Sequence, residues 1–301
     1  IMPSLVGSEM CIRDSYNIEC VVAGYRIGWK GYLYTMNKYR KQGWMGYRDL
    51  LIELVTKDVK LKYRRSFLGY LWSILNPLMI MLVMVIVFSS IFRFDIDHYP
   101  VYLIIGQTIY NYVNNATVHA IYSVTDNGAL LKKVYVPKYI FPLSKVTSDL
   151  VDFLFSLGAM VLVMLITGTQ FSVYLILLPY VAIQIYVFSL GMGMFLAQAS
   201  VFFRDIRYIY NVFLTAWMYA TPIFYPVTML PDKIRWIVTH LNPLYYYIEQ
   251  FRVIVLERTV PSMTLVSRGC IISLLFLAFG ILTFRKSQDK FCLLYTSDAA
   301  D

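Results

Sequence analysis

Apolar stretches with few or no charged residues alternate with short polar segments along most of this chain. Each of six such stretches is long enough to cross the ~30 Å hydrocarbon core of a bilayer as a helix. Their expected bounds are Leu68–Phe92, Val101–Ser123, Val146–Thr167, Tyr174–Val201, Tyr208–Tyr225 and Leu265–Phe284. The fifth stretch, Tyr208–Tyr225, is expected to be broken by Pro222 and Pro226. This pattern predicts an all-α integral membrane protein with six transmembrane helices.

A helical pattern of another kind precedes the first stretch. From Tyr47 to Leu61 the apolar residues recur at helical spacing, whereas Arg48, Glu53, Lys57 and Lys60 fall mostly elsewhere. A helix packed on a soluble domain would show the same spacing, but the chain offers no soluble domain. The pattern therefore predicts an N-terminal amphipathic helix along the membrane surface.

Two short helical patterns occupy the segment before the last stretch. PDKIRWIVTHL (Pro231–Leu241) and PLYYYIEQFRVIVLE (Pro243–Glu257) each begin with Pro, which suits the first helical turn. Both are too short to cross a bilayer. We expect re-entrant or interfacial helices on the outer side, with Asn242-Pro243 as the corner between them.

A basic segment, Asp126–Lys145, separates the second and third stretches and contains Lys132, Lys133, Lys138 and Lys145. Short connections loaded with Lys are cytoplasmic by the positive-inside rule. The segment is typical of two short helices on the membrane surface that could dock a partner. A loop that only sets topology explains the charge equally well.

The balance of charge sets the expected orientation. Only 15% of the 301 residues are charged and 58% are hydrophobic, although the net charge is +9. From Tyr16 onward, 20 Lys and Arg residues fall in segments expected inside and 6 in segments expected outside. We therefore expect a multi-pass protein with both termini in the cytoplasm, and no nucleic-acid partner.

The expected domain organisation has four parts. Residues 1–15 (IMPSLVGSEMCIRDS) resemble the conceptual translation of sequencing-adapter sequence, as does CLLYTSDAAD at the other end. Residues 16–66 form a loosely ordered cytoplasmic lead-in and the amphipathic helix, residues 67–286 form the six-span domain, and residues 287–301 form a cytoplasmic tail.

Several kinds of chemistry have no motif here. There is no G-x-x-x-x-G-K-[ST] phosphate loop, H-E-x-x-H motif or Ser-His-Asp order, and the four Cys show no metal or disulfide spacing. An ion-coupled carrier would need charged residues within the membrane, but the middles of stretches one, two, five and six contain none. No enzyme activity of its own and no metal site are therefore expected, and an energy source is expected on another chain.

Polar residues do occur within two of the stretches. Those of the second stretch either line a path or join helices, and joining is favoured slightly. They are Gln107, Asn111, Asn114, Asn115, Thr117 and His119. Asp149 and Asp152 are expected in the first turns of the third stretch, where a charge can reach water.

Five motifs carry a family likeness, in order, over about Tyr47–Lys290. They are YRRSFLGYLWSILNPL (Tyr63–Leu78), NGALLKKVYVPKYIFPLS (Asn127–Ser144), FFRDIR (Phe202–Arg207), TPIFYPVTMLP (Thr221–Pro231) and LNPLYYYIEQFR (Leu241–Arg252). Together they resemble the permease subunits of type-2 ABC exporters. Within these, the chain is similar to the branch that exports lipid-linked polysaccharides, such as O-antigen, teichoic-acid precursors or capsule, across the bacterial inner membrane.

The resemblance implies a homodimer with a separate ATPase under each subunit, which would bind the ATP and Mg. It implies that the amphipathic helix and the basic segment meet that ATPase, and that the broken helices form an outer gate. The implied coupling residues are Leu130, Leu131, Lys132, Lys133, Tyr135 and Pro137. The implied gate residues are Pro222, Tyr225, Pro226, Asn242 and Pro243.

Aromatic side chains suggest where a glycan would pass, because Tyr and Trp rings stack on sugars. Candidates are Tyr70, Trp72, Tyr110 and Tyr112, although anchoring at the membrane interface explains such residues equally well. A drug or lipid exporter of the same superfamily is an alternative. So is a membrane glycosyltransferase, although Asp232, Glu249 and Glu257 form no catalytic pair by their spacing.

Overall fold

The computed structural model describes residues 12–14, 17–22, 25–27, 43–63, 69–92, 98–128 and 136–287. The chain divides into two compact units, residues 1–53 and 54–301. The first unit contains three short antiparallel strands in the order β1 (Ile12–Asp14), β2 (Asn17–Val22) and β3 (Tyr25–Ile27). A loosely ordered lead-in was expected here. Strands β2 and β3 pair antiparallel, with Val22 opposite Tyr25.

The rest of the described chain is helical, which confirms the all-α prediction for this part. Helix α1 (Gly43–Tyr63) begins in the first unit and ends in the second. The second unit continues with α2 (Trp72–Phe92), α3 (Tyr99–Asp126), α4 (Ile140–Ile166), α5 (Leu178–Phe202), α6 (Ile206–Ala220), α7 (Asp232–Leu241), α8 (Pro243–Arg252) and α9 (Met263–Ser287). Short 3₁₀ or π turns cover Gly69–Leu71, Val173–Leu177, Val227–Met229 and Val253–Glu257.

Three helices in the described part are long and apolar enough to cross a membrane. They are Ile140–Ile166, Val173–Phe202 (α5 with its 3₁₀ turn) and Met263–Ser287. A shorter apolar segment, Trp72–Phe88, lies in α2. The chain is therefore a multi-pass membrane protein.

One helix differs from the predicted bounds and another ends where a break was expected. Helix α4 begins at Ile140 and not at Val146, so the second of the two surface helices expected in the basic segment is instead the first turns of α4. Helix α6 ends at Ala220, before the expected break at Pro222, which cannot continue the hydrogen-bond pattern. With 15 residues, α6 is about 22 Å long.

Helix α3 lies at the centre of the core. Val101, Ile104, Ile109 and Ala116 expose no surface, and α3 packs against α2, α4, α5, α6 and α8. Among its polar residues, Gln107 and Thr117 are buried, whereas His119 is exposed. Thr117 accepts a hydrogen bond from Tyr210 of α6 at 2.9 Å, which supports helix joining at that position.

Helices α5 and α9 approach each other very closely. A Cβ added to Gly280 would lie 2.1 Å from the carbonyl oxygen of Gly191, and one added to Gly191 would lie 2.4 Å from backbone atoms of Phe276 and Leu277. Small residues allow membrane helices to pack backbone against backbone. These two glycines therefore set the separation of α5 and α9.

Candidate functional site

A nonhelical segment, residues 221–226, follows the C-terminal end of α6 and is held by side chains from two other helices. Three consecutive carbonyls of this 221–226 segment accept hydrogen bonds. The donors are Tyr99 to Phe224 at 2.9 Å, Tyr102 to Tyr225 at 2.9 Å and Arg252 to Ile223 at 3.2 Å. Because the donors belong to α3 and α8, the segment depends on both helices for its position.

Arg252 is the charged residue of this arrangement and is only 5% exposed. Its guanidinium carbon lies 3.5 Å from the ring centroid of Tyr102, a cation–π contact. Burial lowers the pKa of Arg252, and the neighbouring Tyr102 and Glu249 oppose that lowering. Burial raises the pKa of the Glu249 carboxyl, and the charge of Arg252 opposes that rise.

Gly106 of α3 allows the segment to lie against this helix. A Cβ at Gly106 would be 3.1 Å from Cγ2 of Ile223 and 3.4 Å from a terminal nitrogen of Arg252. The first contact is tighter than ordinary van der Waals packing, so a larger residue would displace Ile223 or Arg252.

Asn242 connects the corner between α7 and α8 to the end of α6. Its side-chain oxygen accepts from Trp217 Nε1 at 3.0 Å and from the backbone N–H of Leu244 at 3.1 Å. Its amide donates to Thr221 Oγ1 at 2.9 Å. Asn242 thus caps α8 and holds the start of the 221–226 segment.

The structure brings most of the expected gate residues into one region. Asn242 bonds to Thr221, Pro222 is buried, and Tyr225 is held by Tyr102 and donates to the carbonyl of Tyr219 at 2.7 Å. Pro226 and Pro243 are half-buried at the two ends of this region. Opening and closing are not tested by this geometry, so the gate role stays a prediction.

A second polar cluster fixes α8 to the bundle. Gln250 donates to Gln184 of α5 at 3.1 Å, and the hydroxyls of Tyr247 and Ser273 lie 2.6 Å apart. A Cβ at Gly269 of α9 would lie 2.7 Å from both glutamine side chains. In contrast, Val238 is the one residue of α7 that is buried, so α8 is held much more firmly than α7.

The expected coupling residues fall mostly outside the part of the chain that the structure describes. These are Leu130, Leu131, Lys132, Lys133 and Tyr135. Pro137 is described and half-buried, and its carbonyl accepts from the backbone N–H of Ile140 at 3.1 Å, leading into α4. Docking of an ATPase at this segment therefore stays a prediction.

Three charged side chains lie on one face of α4, at positions i, i+4 and i+7. Lys145 pairs with Asp58 of α1, Asp149 with His119 of α3, and Asp152 with Lys62 of α1. Asp149 and Asp152 were expected in the first turns of this helix with access to water. Because α4 begins six residues earlier than expected, both lie deeper along it and are paired with neighbouring helices instead.

Of the expected substrate-path residues, Tyr110 and Tyr112 are buried within the chain. The hydroxyl of Tyr110 donates to the carbonyl of Leu214 at 2.6 Å, and that of Tyr112 lies 3.5 Å from the carbonyl of Val146. Both rings join helices and present no free face, which argues against contact with a glycan. Trp72 is exposed, and the side chain of Tyr70 lies outside what the structure describes.

A better candidate surface lies on α6 and was not singled out from the sequence. One stripe of α6, Tyr210, Leu214 and Trp217, is buried against the bundle. On the opposite face, at spacings of three and four residues, lie the exposed side chains Tyr208, Asn211, Thr215 and Tyr219. We call this set the α6 polar stripe. Its helical spacing was visible in the sequence, but the side of α6 that packs was not.

The chain matches the family model described as ABC-2 type transporter over residues 49–256. It is 30% identical over 246 residues to the O-antigen export system permease protein RfbA of Myxococcus xanthus, covering 81% of this chain and 95% of that protein. It is 29% identical to the protein of the same name from Klebsiella pneumoniae, covering 81% and 93%. It is also 22% identical to the capsule polysaccharide export inner-membrane protein CtrC of Neisseria meningitidis serogroup A, covering 66% and 76%.

Proposed function

Because the chain belongs to the ABC-2 type transporter family, we propose that it is the permease subunit of an ATP-driven exporter of a lipid-linked polysaccharide. The observation that carries this proposal is the similarity to O-antigen export permeases over 81% of the chain. The weaker similarity to a capsule export protein widens the substrate class from O-antigen to related bacterial polysaccharides.

The proposal includes a homodimer with six spans per subunit in the bacterial inner membrane. Helices α2 and α3 have 21 and 28 residues, about 32 and 42 Å, which is enough for two further spans. Helix α6 is the fifth span in chain order. It becomes long enough to cross the bilayer only together with the 221–226 segment. With 20 of the 26 Lys and Arg residues from Tyr16 onward in the inner segments, the termini face the cytoplasm. Helices α7 and α8 then lie on the outer side as short re-entrant or interfacial elements.

The partner is a separate ATPase, which binds ATP and Mg and supplies the energy. The chain has no phosphate loop, so hydrolysis belongs to that partner. Reconstitution of the chain with the ATPase and a defined lipid-linked oligosaccharide tests the whole proposal. ATP-dependent appearance of the oligosaccharide on the other side supports it, whereas ATP hydrolysis by the purified chain alone would contradict the division of roles.

We further propose that the α6 polar stripe lines the glycan path. A carbohydrate needs hydroxyl and amide partners together with aromatic faces, and the stripe supplies both on a helix that is otherwise apolar. Exposing the Asn211 amide to hydrocarbon would cost free energy. Contact with a hydrated path or with a second subunit removes that cost.

Substitution of the stripe should reduce export without unfolding the chain. We expect Asn211→Leu combined with Tyr219→Leu to lower the initial export rate about ten-fold. This factor corresponds to a loss of ~1.4 kcal/mol in the free energy of glycan binding. Val212→Leu is the matched control, because Val212 is an exposed apolar residue beside the stripe. Wild-type export by the double variant at wild-type abundance would refute the assignment.

Charge reversal in the basic segment tests the docking site. We expect Lys132→Glu with Lys133→Glu to weaken capture of the ATPase and to uncouple hydrolysis from export, since docking energy limits the coupling. If the segment only sets topology, the same change would instead disturb insertion of the second and third spans. Cysteine accessibility between Arg93 and Pro100 reports topology. Normal topology, binding and export together would remove the docking role.

A further inference from the structure

Helix α1 is attached to α4 at two points of opposite polarity. At the first point, Lys145 of α4 lies 3.0 Å from Asp58 of α1, and each side chain is 21% exposed. At the second point, Lys62 of α1 pairs with Asp152 of α4, whose side chain is 18% exposed. The acid belongs to α1 at the first point and to α4 at the second.

This alternation fixes the position of α1 along α4. Asp58 and Lys62 are one helical turn apart, while Lys145 and Asp152 are two turns apart on the same face, a difference that the long Lys side chains bridge. A slip of α1 by about one turn in one direction would bring Lys62 toward Lys145. A slip in the other direction would bring Asp58 toward Asp149 and Asp152. Both slips replace attraction with repulsion, so one register is selected.

Resting on the function proposed above, we propose that these two ion pairs form a clamp through which α1 and α4 move as one body. Movement imposed on α1 by the partner ATPase then reaches the bundle through Asp58–Lys145 and Lys62–Asp152. An isolated surface ion pair contributes little, but two pairs of opposite polarity constrain both distance and register, even though the Lys62 side chain is 44% exposed.

Contacts continue from the clamp into the centre of the bundle. Asp149 lies on α4 between the two clamp positions and is 2.8 Å from Nδ1 of His119 on α3. Helix α3 begins at Tyr99, and Tyr99 and Tyr102 hold the 221–226 segment. The clamp thus lies at one end of a continuous series of contacts whose other end is the expected gate.

Charge exchange across the second pair tests the clamp. Lys62→Asp and Asp152→Lys are made singly and together, with Lys60→Asp as the control because Lys60 is an exposed charge on the same helix. Each variant is measured for ATPase capture, ATP hydrolysis and export. We expect each single variant to bind the ATPase but to export about ten-fold less per ATP, and the double variant to recover. The control should behave as wild type.

A thermal-unfolding cycle on the same variants in detergent provides a readout that needs no ATPase. We expect the double variant to be clearly more stable than the sum of the single effects predicts, whereas additive effects would refute the pairing. A wild-type complex that fails to export would instead contradict the proposed function, and this cycle would still decide whether the clamp exists.

Crosslinking tests whether the two helices stay together during transport. Asp58→Cys with Lys145→Cys would be joined by a short bifunctional thiol reagent in a background in which the other cysteines are replaced. Retained export after crosslinking supports movement as one body. Before crosslinking, this variant lacks one ion pair and should export less than wild type; loss of that remaining export after crosslinking would overturn the clamp, because α1 and α4 would then have to separate.

Discussion

Replacement of Gly280 by Ala should strongly destabilise the protein, because the added methyl group would overlap the backbone of α5. The new Cβ would lie 2.1 Å from the carbonyl oxygen of Gly191 and 2.8 Å from its carbonyl carbon. Both are backbone atoms, so no side-chain rotation can relieve the overlap, and α5 and α9 must move apart. Overpacking typically costs ~1–3 kcal/mol, and a backbone overlap belongs at or above the upper end of that range. We expect the melting temperature in detergent to fall by roughly 10 °C.

Gly158→Ala is the matched control for this change. Gly158 lies on the exposed side of α4, and a Cβ there would meet nothing within 4 Å. Replacing a helical Gly by Ala at such a position should be neutral or stabilising by ~0.4–1 kcal/mol. Gly191→Ala should resemble Gly280→Ala, and the two together should cost less than their sum because both force the same separation. A melting temperature of Gly280→Ala equal to that of Gly158→Ala would show that α5 and α9 do not pack in this way.

The existence of the long helices could be predicted from the sequence because apolar stretches with few charges have few other stable structures in a bilayer. Helix starts were harder to predict. The charge of Lys145 placed it in the basic segment before the third stretch, whereas α4 begins at Ile140 and includes Lys145, which pairs with Asp58, 87 residues earlier in the chain. The break in the fifth stretch could be predicted, because Pro222 has no backbone N–H to donate, and α6 ends at Ala220.

The candidate site illustrates the same limit. The corner at Asn242-Pro243 could be predicted because Asn and Pro mark chain reversals in the sequence itself, whereas the gate residues were implied by the resemblance. The choice of Tyr110 and Tyr112 was not supported, because α3 is surrounded by other helices and its tyrosines are buried. Helix α6 packs by one stripe only, so its tyrosines at positions 208 and 219 are 75% and 61% exposed. Which helix is central depends on tertiary packing, and no local pattern reports it.

Loss of Arg252 should release the 221–226 segment from the bundle. Arg252→Ala removes the hydrogen bond to Ile223 and the cation–π contact with Tyr102, and leaves a buried space beside Gly106. A hydrogen bond from a charged group contributes ~1.5–3 kcal/mol, which corresponds to roughly 10–100-fold in a local opening equilibrium. We therefore expect amide hydrogen exchange in residues 221–225 to accelerate by at least about ten-fold. Exchange in the middle of α4 should stay unchanged.

Two further variants separate the contributions of charge and hydrogen bonding. Tyr102→Phe keeps the ring next to Arg252 but removes the hydrogen bond to Tyr225, so it should accelerate exchange less than Arg252→Ala. Arg268→Ala is the control, because Arg268 is an exposed Arg near the start of α9. If the segment is a gate, Arg252→Ala should also raise the passage of small solutes through vesicles in the absence of ATP. Unchanged exchange in residues 221–225 of Arg252→Ala would mean that the segment is held without Arg252, and the role assigned to this residue would be wrong.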